Sequence, residues 1–307
     1  MTSQLQYGRK FNLLLSTRSG DTLDVGSLKV IFKIKKTDAQ TPNTAEVRVY
    51  NLNETTSRQI RSEFSRITIQ AGYESNYGVI FLGNIKQVTY GRDNGVDSFV
   101  DISAGDGDEA YNYAIISTTL ASGAKQSDQV AASAKSMSGN GIGTGFVDNM
   151  GGQSLPRGKV MYGMARDYLR QSTQSTDATW SIQDGRLQIV KRSGLLPSQA
   201  VVLNSKSGLI GTPEQTGNGL KARCLLNPLL KIGGRVMLDD ELVSSSLIPD
   251  TERNNPANSA PSINGDGMYR LLAVEHLGDS LGNDWYSDIT CLSVDASAPA
   301  GEQVSKV

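Results

Sequence analysis

A mainly β protein with a small α/β insert is what this sequence predicts, and three observations carry the prediction. Apolar and polar residues alternate with a period of two over several short stretches, the spacing of a strand with one buried face. A strand-turn-strand phrase occurs twice, once near the end of the first third of the chain and again near the C-terminus. Helical spacing is confined to the stretch between the two copies, apart from one short segment opening at Asn53. Thirty-two glycines and 6% aromatic residues in 307 fit many short strands joined by turns.

Residues 1–107 read as a first β module. Leu28, Val30, Phe32 and Ile34 alternate with Lys29, Lys33 and Lys35, and Val47 and Val49 continue the pattern after the Thr41-Pro42-Asn43 turn. Asn53 stands as a helix N-cap, able to accept an orphan amide of the first turn, with Ile60 and Phe64 four apart on one face. Asn53-Glu54-Thr55 is also a glycosylation sequon, set aside because no secretory signal accompanies it. Strands follow at 67–73, 79–90 and 98–104.

Residues 108–197 read as an inserted small α/β domain. Val130, Ala134 and Met137 predict a helix over 126–137, and the glycines from Gly139 to Gly145 predict a loop. Val160, Met161, Met164, Ala165, Tyr168 and Leu169 follow helical spacing after Pro156 and predict a second helix. Asp184-Gly185 divides two alternating runs between Trp180 and Ile189. This is a hairpin signal, because a type I′ turn needs positive φ at both central residues.

Residues 198–295 read as a second β module, with strands at 201–204, 209–213, 220–226, 235–239, 269–277 and 285–294. Its long loop, 240–267, holds Pro249, Pro256 and Pro261 among asparagines and cannot bury enough apolar surface to order itself. It is expected to be exposed, or ordered by a neighbouring protein. Residues 296–307 are expected to be a flexible tail.

The repeated phrase joins the two modules. Ile85–Val88, a turn around Asp93-Asn94-Gly95, and Phe99–Ser103 form the first copy. Val274–Leu277, a turn around Gly282-Asn283-Asp284, and Tyr286–Thr290 form the second. Placing Asp101 on Asp288 sets Phe99 on Tyr286 and predicts a turn two residues shorter in the second copy. Two copies of one module separated by an insert suit an assembly part better than an enzyme.

Composition narrows the function further. Thirty basic against 31 acidic residues, a net charge of −1, provide no global field to draw the chain to nucleic acid or to an anionic membrane. The longest apolar runs, such as Leu13-Leu14-Leu15, fall far short of the about 20 residues that span a bilayer. Arg9, Lys10 and Arg18 flank too short an apolar stretch for a signal peptide. Cys224 and Cys291 sit in apolar strand-like runs and are expected as buried thiols rather than a disulfide.

No reactive constellation is predicted: no catalytic, cofactor-binding or metal-ligating residues, and no enzyme. His276, the sole histidine, lies in a strand where its neighbour Glu275 points to the other face and cannot orient its ring. His276, Cys224 and Cys291 lack the close ligand pairs of a zinc site. Gly139-x-Gly141 is followed by Thr144 where a phosphate loop needs glycine, and Gly158-Lys159 leads to Val160. Asp239-Asp240-Glu241 and Asp106, Asp108 and Glu109 lack the spacing of acid/base pairs or a calcium loop.

The segment Gly211-Thr212-Pro213-Glu214-Gln215, followed by Gly219 to Val236 with its Leu225-Leu226-Asn227-Pro228 corner and Ile232-Gly233 turn, resembles a phrase of phage tail baseplate hub proteins. Val49-Tyr50-Asn51-Leu52 leading to Ile67–Tyr73, Phe81–Ile85, and Gly158-Lys159-Val160 through the Trp180–Ile189 hairpin are similar as well, so the resemblance spans most of 28–294. The family implies two tube-like β modules per subunit, each a sheet or barrel with a short helix. Three chains would form a pseudo-six-fold homotrimeric ring that joins the tail tube to the central spike. It implies as partners the tail tube or distal tail proteins, the spike, the tape-measure protein, and DNA in transit without specific binding. The chain would be made in the host cytoplasm and reside in the virion. It lacks any lysozyme or peptidase segment, so cell-wall cleavage is not expected of it. The alternative is a tail-tip module binding envelope glycan or peptidoglycan through the Trp180–Ile189 hairpin, which an exposed Trp180 favours and a buried one opposes.

Overall fold

The computed structural model describes residues 6–93, 95–151, 154–216, 219–238 and 267–294. The predicted loop 240–267, but for Gly267, and the predicted tail 296–307 lie outside the described residues. The chain opens with β1 (Arg9–Thr17), β2 (Thr22–Asp24), β3 (Val30–Thr37), β4 (Thr44–Tyr50), α1 (Glu54–Ser62), β5 (Phe64–Tyr73), β6 (Gly78–Asp93) and β7 (Asp97–Gly105). A middle stretch holds α2 (Asp108–Tyr113), β8 (Ile115–Leu120), α3 (Gln126–Ser138), β9 (Gly143–Val147), β10 (Lys159–Met164), α4 (Ala165–Gln174), β11 (Ala178–Gln183) and β12 (Arg186–Lys191). The last part holds β13 (Val201–Leu203), β14 (Leu209–Thr216), β15 (Gly219–Leu225), β16 (Arg235–Leu238), β17 (Met268–Asp279) and β18 (Trp285–Ser293).

The fold is mainly β, and the first and last parts share one 13-stranded sheet. Its order is β14-β15-β18-β17-β3-β4-β7-β6-β5-β1-β2, with β16 also on β17 and β13 on β16. The order contains the same five-strand pattern twice: β3-β4-β7-β6-β5 and β14-β15-β18-β17-β16. The registers agree in detail. Arg48 faces Ile31 on one side and Asp101 on the other, and Asp101 faces Thr89. Arg223 likewise faces Ile210 and Asp288, and Asp288 faces Glu275. Each hairpin carries a β-bulge at the matching place, Lys86 in one and Leu272 in the other. The halves are fused where β17 pairs antiparallel with β3.

These registers correct the sequence alignment. Val88, and not Ile85, matches Val274, and the second connection is one residue longer rather than two shorter. The reason is the bulge: an extra residue at Lys86 reverses the inside-outside alternation, so matching apolar residues by eye lands three positions away. The predicted short helix recurs only in the first half. Asn53 caps α1 as expected, accepting from the Thr56 amide at 2.7 Å, but Phe64 already belongs to β5. In the second half the same connection is the Leu226-Asn227-Pro228 corner, where proline removes an amide donor and Asn227 Oδ1 accepts from the Leu229 amide at 2.9 Å.

Three apolar cores result. Leu13, Leu15, Phe32, Ile69, Phe81 and Trp285 belong to the first, and Leu203, Leu230, Val236, Leu271, Ile289 and Cys291 to the third. Leu13 and Leu15 are buried by strand alternation, so the Leu13–Leu15 run is an unanticipated strand, β1. The second core gathers Met137, Met161, Leu169, Trp180 and Leu187 under the middle stretch. There the helix over 126–137 and the Asp184-Gly185 hairpin stand as expected. The second helix begins only at Ala165. Residues 160–164 form β10, with Val160 and Tyr162 72% and 77% exposed on either side of a buried Met161. That two-residue alternation competes with the helical spacing and wins, because β8 supplies a partner strand. The loop predicted at 139–145 gives way at Gly143 to β9, which pairs parallel with β12.

Asp184 and Gly185 have φ of 53° and 74°, the pair of positive values a two-residue turn requires. A side chain at Gly185 would be strained there, and its Cβ would meet Leu82 Cδ2 at 2.6 Å. Gly185→Val is expected to destabilise the chain by about 1 kcal/mol or more. Thermal unfolding of the full chain checks this, and an unchanged transition contradicts it.

Candidate functional site

Two features stand out: a pair of matched grooves on the open face of the sheet, and a buried charge cluster where the middle stretch meets both halves. In the first groove, of about 430 Å³, Arg48 Nε and Nη2 donate to Asp101 Oδ1 and Oδ2 at 2.7 and 2.8 Å, with the guanidinium 3.9 Å from the Phe99 ring centre. In the second, of about 520 Å³, Arg223 makes the same fork to Asp288 at 2.6 and 2.9 Å and lies 4.2 Å from the Tyr286 ring centre. Cross-strand placement makes each pair, since arginine and aspartate sit directly opposite and the aromatic is two residues along the same face. Lys33 reaches Glu275 at 2.8 Å across the β17–β3 seam. The hydrogen bonds that Arg48 donates to Asp101 and Lys33 to Glu275 hold both cations above their ordinary pKa values. Being half-exposed, such pairs contribute little stability. Their effect is on the field, because these cations of the face are neutralised where they stand.

The buried cluster is built on the tip of the β11–β12 hairpin. Asp184 is bound by Lys36 of β3, which is almost fully buried, and by Lys231 Nζ at 2.9 Å. Asp106, fully buried, accepts from the amides of Asp184 and Gly185 at 2.6 and 2.9 Å. Asn43 Nδ2 donates to the Ile182 carbonyl and to Gln183 Oε1, each at 2.9 Å, and Gln183 Nε2 donates to the Thr37 carbonyl at 2.8 Å. Burial opposes ionisation of Asp184, but Lys36 and Lys231 outweigh it and hold its carboxyl below the usual range. Burial pushes Asp106 up to about 6, against the pull of Lys36 and the two amides. Asp106 is thus a buried acceptor for the hairpin turn, a role that its lack of acid/base or calcium-loop spacing does not reveal; the sequence signal for it is Gly105-Asp106-Gly107 at the end of a strand.

Of the remaining residues weighed for chemistry, Asp108 pairs with Lys86 at 3.2 Å and Glu109 with Arg18 at 3.0 Å. Asp239, Asp240 and Glu241 lie outside the described residues. His276 is 1% exposed, and its Nδ1 lies 2.8 Å from Ser287 Oγ. That is a nucleophile-base distance, which sequence spacing did not anticipate. Both groups are buried in the sheet, however, and the groove lined by their neighbours Glu275 and Asp288 is on the opposite face. Burial, reinforced by the charges of Lys36 and Lys231, pushes His276 down to about 3, so it is a neutral ring in a structural hydrogen bond. Cys224 and Cys291 are free and buried; burial raises both thiols, Cys224 to about 12.

The family model for baseplate hub gp41 matches residues 11–246. The fold is similar to that of the 43 kDa tail protein of prophage MuSo2 from Shewanella oneidensis, at a TM-score of 0.60, 9% identity, 94% of this chain and 98% of that one. It is also similar to a tail protein from Neisseria meningitidis MC58, at 0.58, 10% identity, 95% and 99%. A third similar structure is the E. coli c3393 protein, a type VI secretion component described as similar to the T4 tail proteins gp27 and gp5, at 0.53, 8% identity, 96% and 80%. No curated protein matches the chain in sequence.

Asp184→Asn keeps a residue that tolerates positive φ but removes the charge, leaving Lys36 buried without its anion. A loss of roughly 3 kcal/mol is expected in denaturant unfolding at neutral pH. His276 supplies a pH dependence of known sign. Its folded pKa lies below its unfolded value, so its contribution is complete above about pH 6.5 and is lost as pH falls toward 3. Between about pH 6.5 and 5 the loss should be about 2 kcal/mol. His276→Phe should flatten that slope relative to the parent chain, and equal slopes in the two proteins contradict the assignment.

Proposed function

This chain belongs to the baseplate hub gp41 family and is a structural protein of a phage tail baseplate, and we propose that three copies form a pseudo-six-fold ring joining the tail tube to the central spike. The observation that carries the reading is the doubled five-strand pattern in one continuous sheet, fused at the β17–β3 seam. A subunit with two matched halves presents six similar units from three chains, which reconciles a six-fold tube with a three-fold spike. The likeness of one structural neighbour to gp27 and gp5 supports the spike as a partner. The matched open faces, with Arg48, Arg223 and Lys33 each neutralised by a neighbouring carboxylate, support a wall past which tape-measure protein and DNA travel. A surface of unpaired cations would hold phosphates and slow their passage.

The chain acts without a catalytic centre, bound metal or cofactor in this reading: His276 is a buried neutral ring and the cysteines are inert thiols. Trp180, wholly buried beneath the middle stretch, supports the hub over envelope-glycan binding through that hairpin. Made in the host cytoplasm, the protein ends in the virion tail. Light scattering after size exclusion is expected to give three times the chain mass of 32.9 kDa. A monomer at every concentration overturns the ring.

A further inference from the structure

Among the described residues, no apolar core crosses the joint between the middle stretch and the sheet. The second core is built from residues 110–189 alone, and neither of the other two takes a residue from that range. The two halves are fused differently: Leu226 and Trp285 of the second half lie in the first core. The middle stretch is thus a body with its own core, and polar groups tie it to the sheet. Besides the Asp184 cluster they include Gln188 Nε2 donating to the Ile232 carbonyl at 2.8 Å, Arg170 Nε to Gln40 Oε1 at 2.9 Å, and Arg270 Nη1 to the Lys191 carbonyl at 3.0 Å.

Polar ties hold a body in place without holding it hard, because water satisfies the same groups once they separate. Relative motion is the expected behaviour of such a joint unless its interface is large and apolar. The chain passes between sheet and middle stretch at two places: at Gly105-Asp106-Gly107 after β7, and after β12. The first is pinned to the sheet, where the Asp106 amide donates to the Asn43 carbonyl at 2.9 Å, and then turns at Gly107 with a φ of 66°. We propose that the middle stretch, residues 108–191, is a hinged arm that leaves the sheet as one body, turning about these two crossings, and that the Asp184 carboxylate is the latch that holds it down. Lys36 and Lys231 grip that carboxylate from the two halves, and Asp106 holds the Asp184 and Gly185 amides from the crossing. These ties all end on one hairpin tip, so they let go together, and Lys36 gains water as it loses its anion. The motion belongs to a single chain and needs no ring.

Hydrogen exchange of the full chain reads the latch. The Gly185 amide reports docking, the Leu169 amide in α4 the arm's own core, and the Ile34 amide in β3 the sheet. Asp184→Asn, and the milder Lys231→Gln, which leaves Lys36 its anion, should each speed exchange at Gly185. The first should do so by about tenfold or more, with Leu169 and Ile34 little changed. Equal acceleration at all three amides in both variants overturns the arm, because the joint then opens only by unfolding. No acceleration in either variant overturns the latch. Paired spin labels show whether a body moves. Val160→Cys on the arm and Val96→Cys at the β6–β7 tip, 72% and 86% exposed, take the labels, while Cys224 and Cys291 are buried. With labelled chains diluted in unlabelled ones, the parent should show one separation between the labels, and each latch variant a second population. Faster exchange at Gly185 with an unchanged separation overturns the arm and reduces the opening to the hairpin tip.

Discussion

Asp184 sits where three parts of the chain have to agree. Its carboxylate is shared by Lys36 from the first half and Lys231 from the second, while its backbone amide is held by Asp106 at the point where the chain leaves the sheet. A buried lysine is tolerated only with an anion at hand, so β3 cannot take its place in the sheet at full stability unless the hairpin of the middle stretch docks with it. Positive φ at Asp184 and Gly185 brings the carboxylate and the two amides to the same tip. Local turn chemistry and long-range electrostatics are thus satisfied by the same two residues, which makes the joint between the middle stretch and both halves a cooperative one.

The seam between β17 and β3 does the corresponding work for the sheet. Without it the chain would hold two separate five-strand units; with it they become one continuous sheet, and their grooves face the same side. The Arg48–Asp101 and Arg223–Asp288 forks then appear at matched positions of one wall, with Lys33 and Glu275 closing the space between them. The groups are those of an ordinary solvated surface. What distinguishes them is repetition and local cancellation of charge.

Much of this was legible in the residues. The alternation from Val30 to Ile34, the Asn53 cap and the Asp184-Gly185 turn are local signals whose physics is complete within a few residues. The recurrence of Asp101-Ile102-Ser103 as Asp288-Ile289-Thr290 was legible for the same reason. What escaped depended on partners far along the chain. β10 carries helical spacing as well as strand alternation, and only β8, some forty residues earlier, decides between them. Lys36 falls on the inward face of β3 by alternation, yet no residue near it in sequence supplies the anion that a buried lysine needs: Asp184 lies 148 positions away in sequence and close in space. The Ser287–His276 contact escaped because cross-strand pairing, not sequence spacing, brings the two together.

The paired bulges at Lys86 and Leu272 have a consequence for how such a chain can change. A bulge bends its strand and sharpens the local twist, so two at equivalent places put that bend at the same point of both halves. A one-residue insertion or deletion in either hairpin would leave its own half well folded yet curved differently from its twin. Drift in one half is therefore answerable to the other through shape alone. Parts outside the bulged strands, such as α1 in the first half and the Asn227-Pro228 corner in the second, lie outside that constraint and differ between the halves.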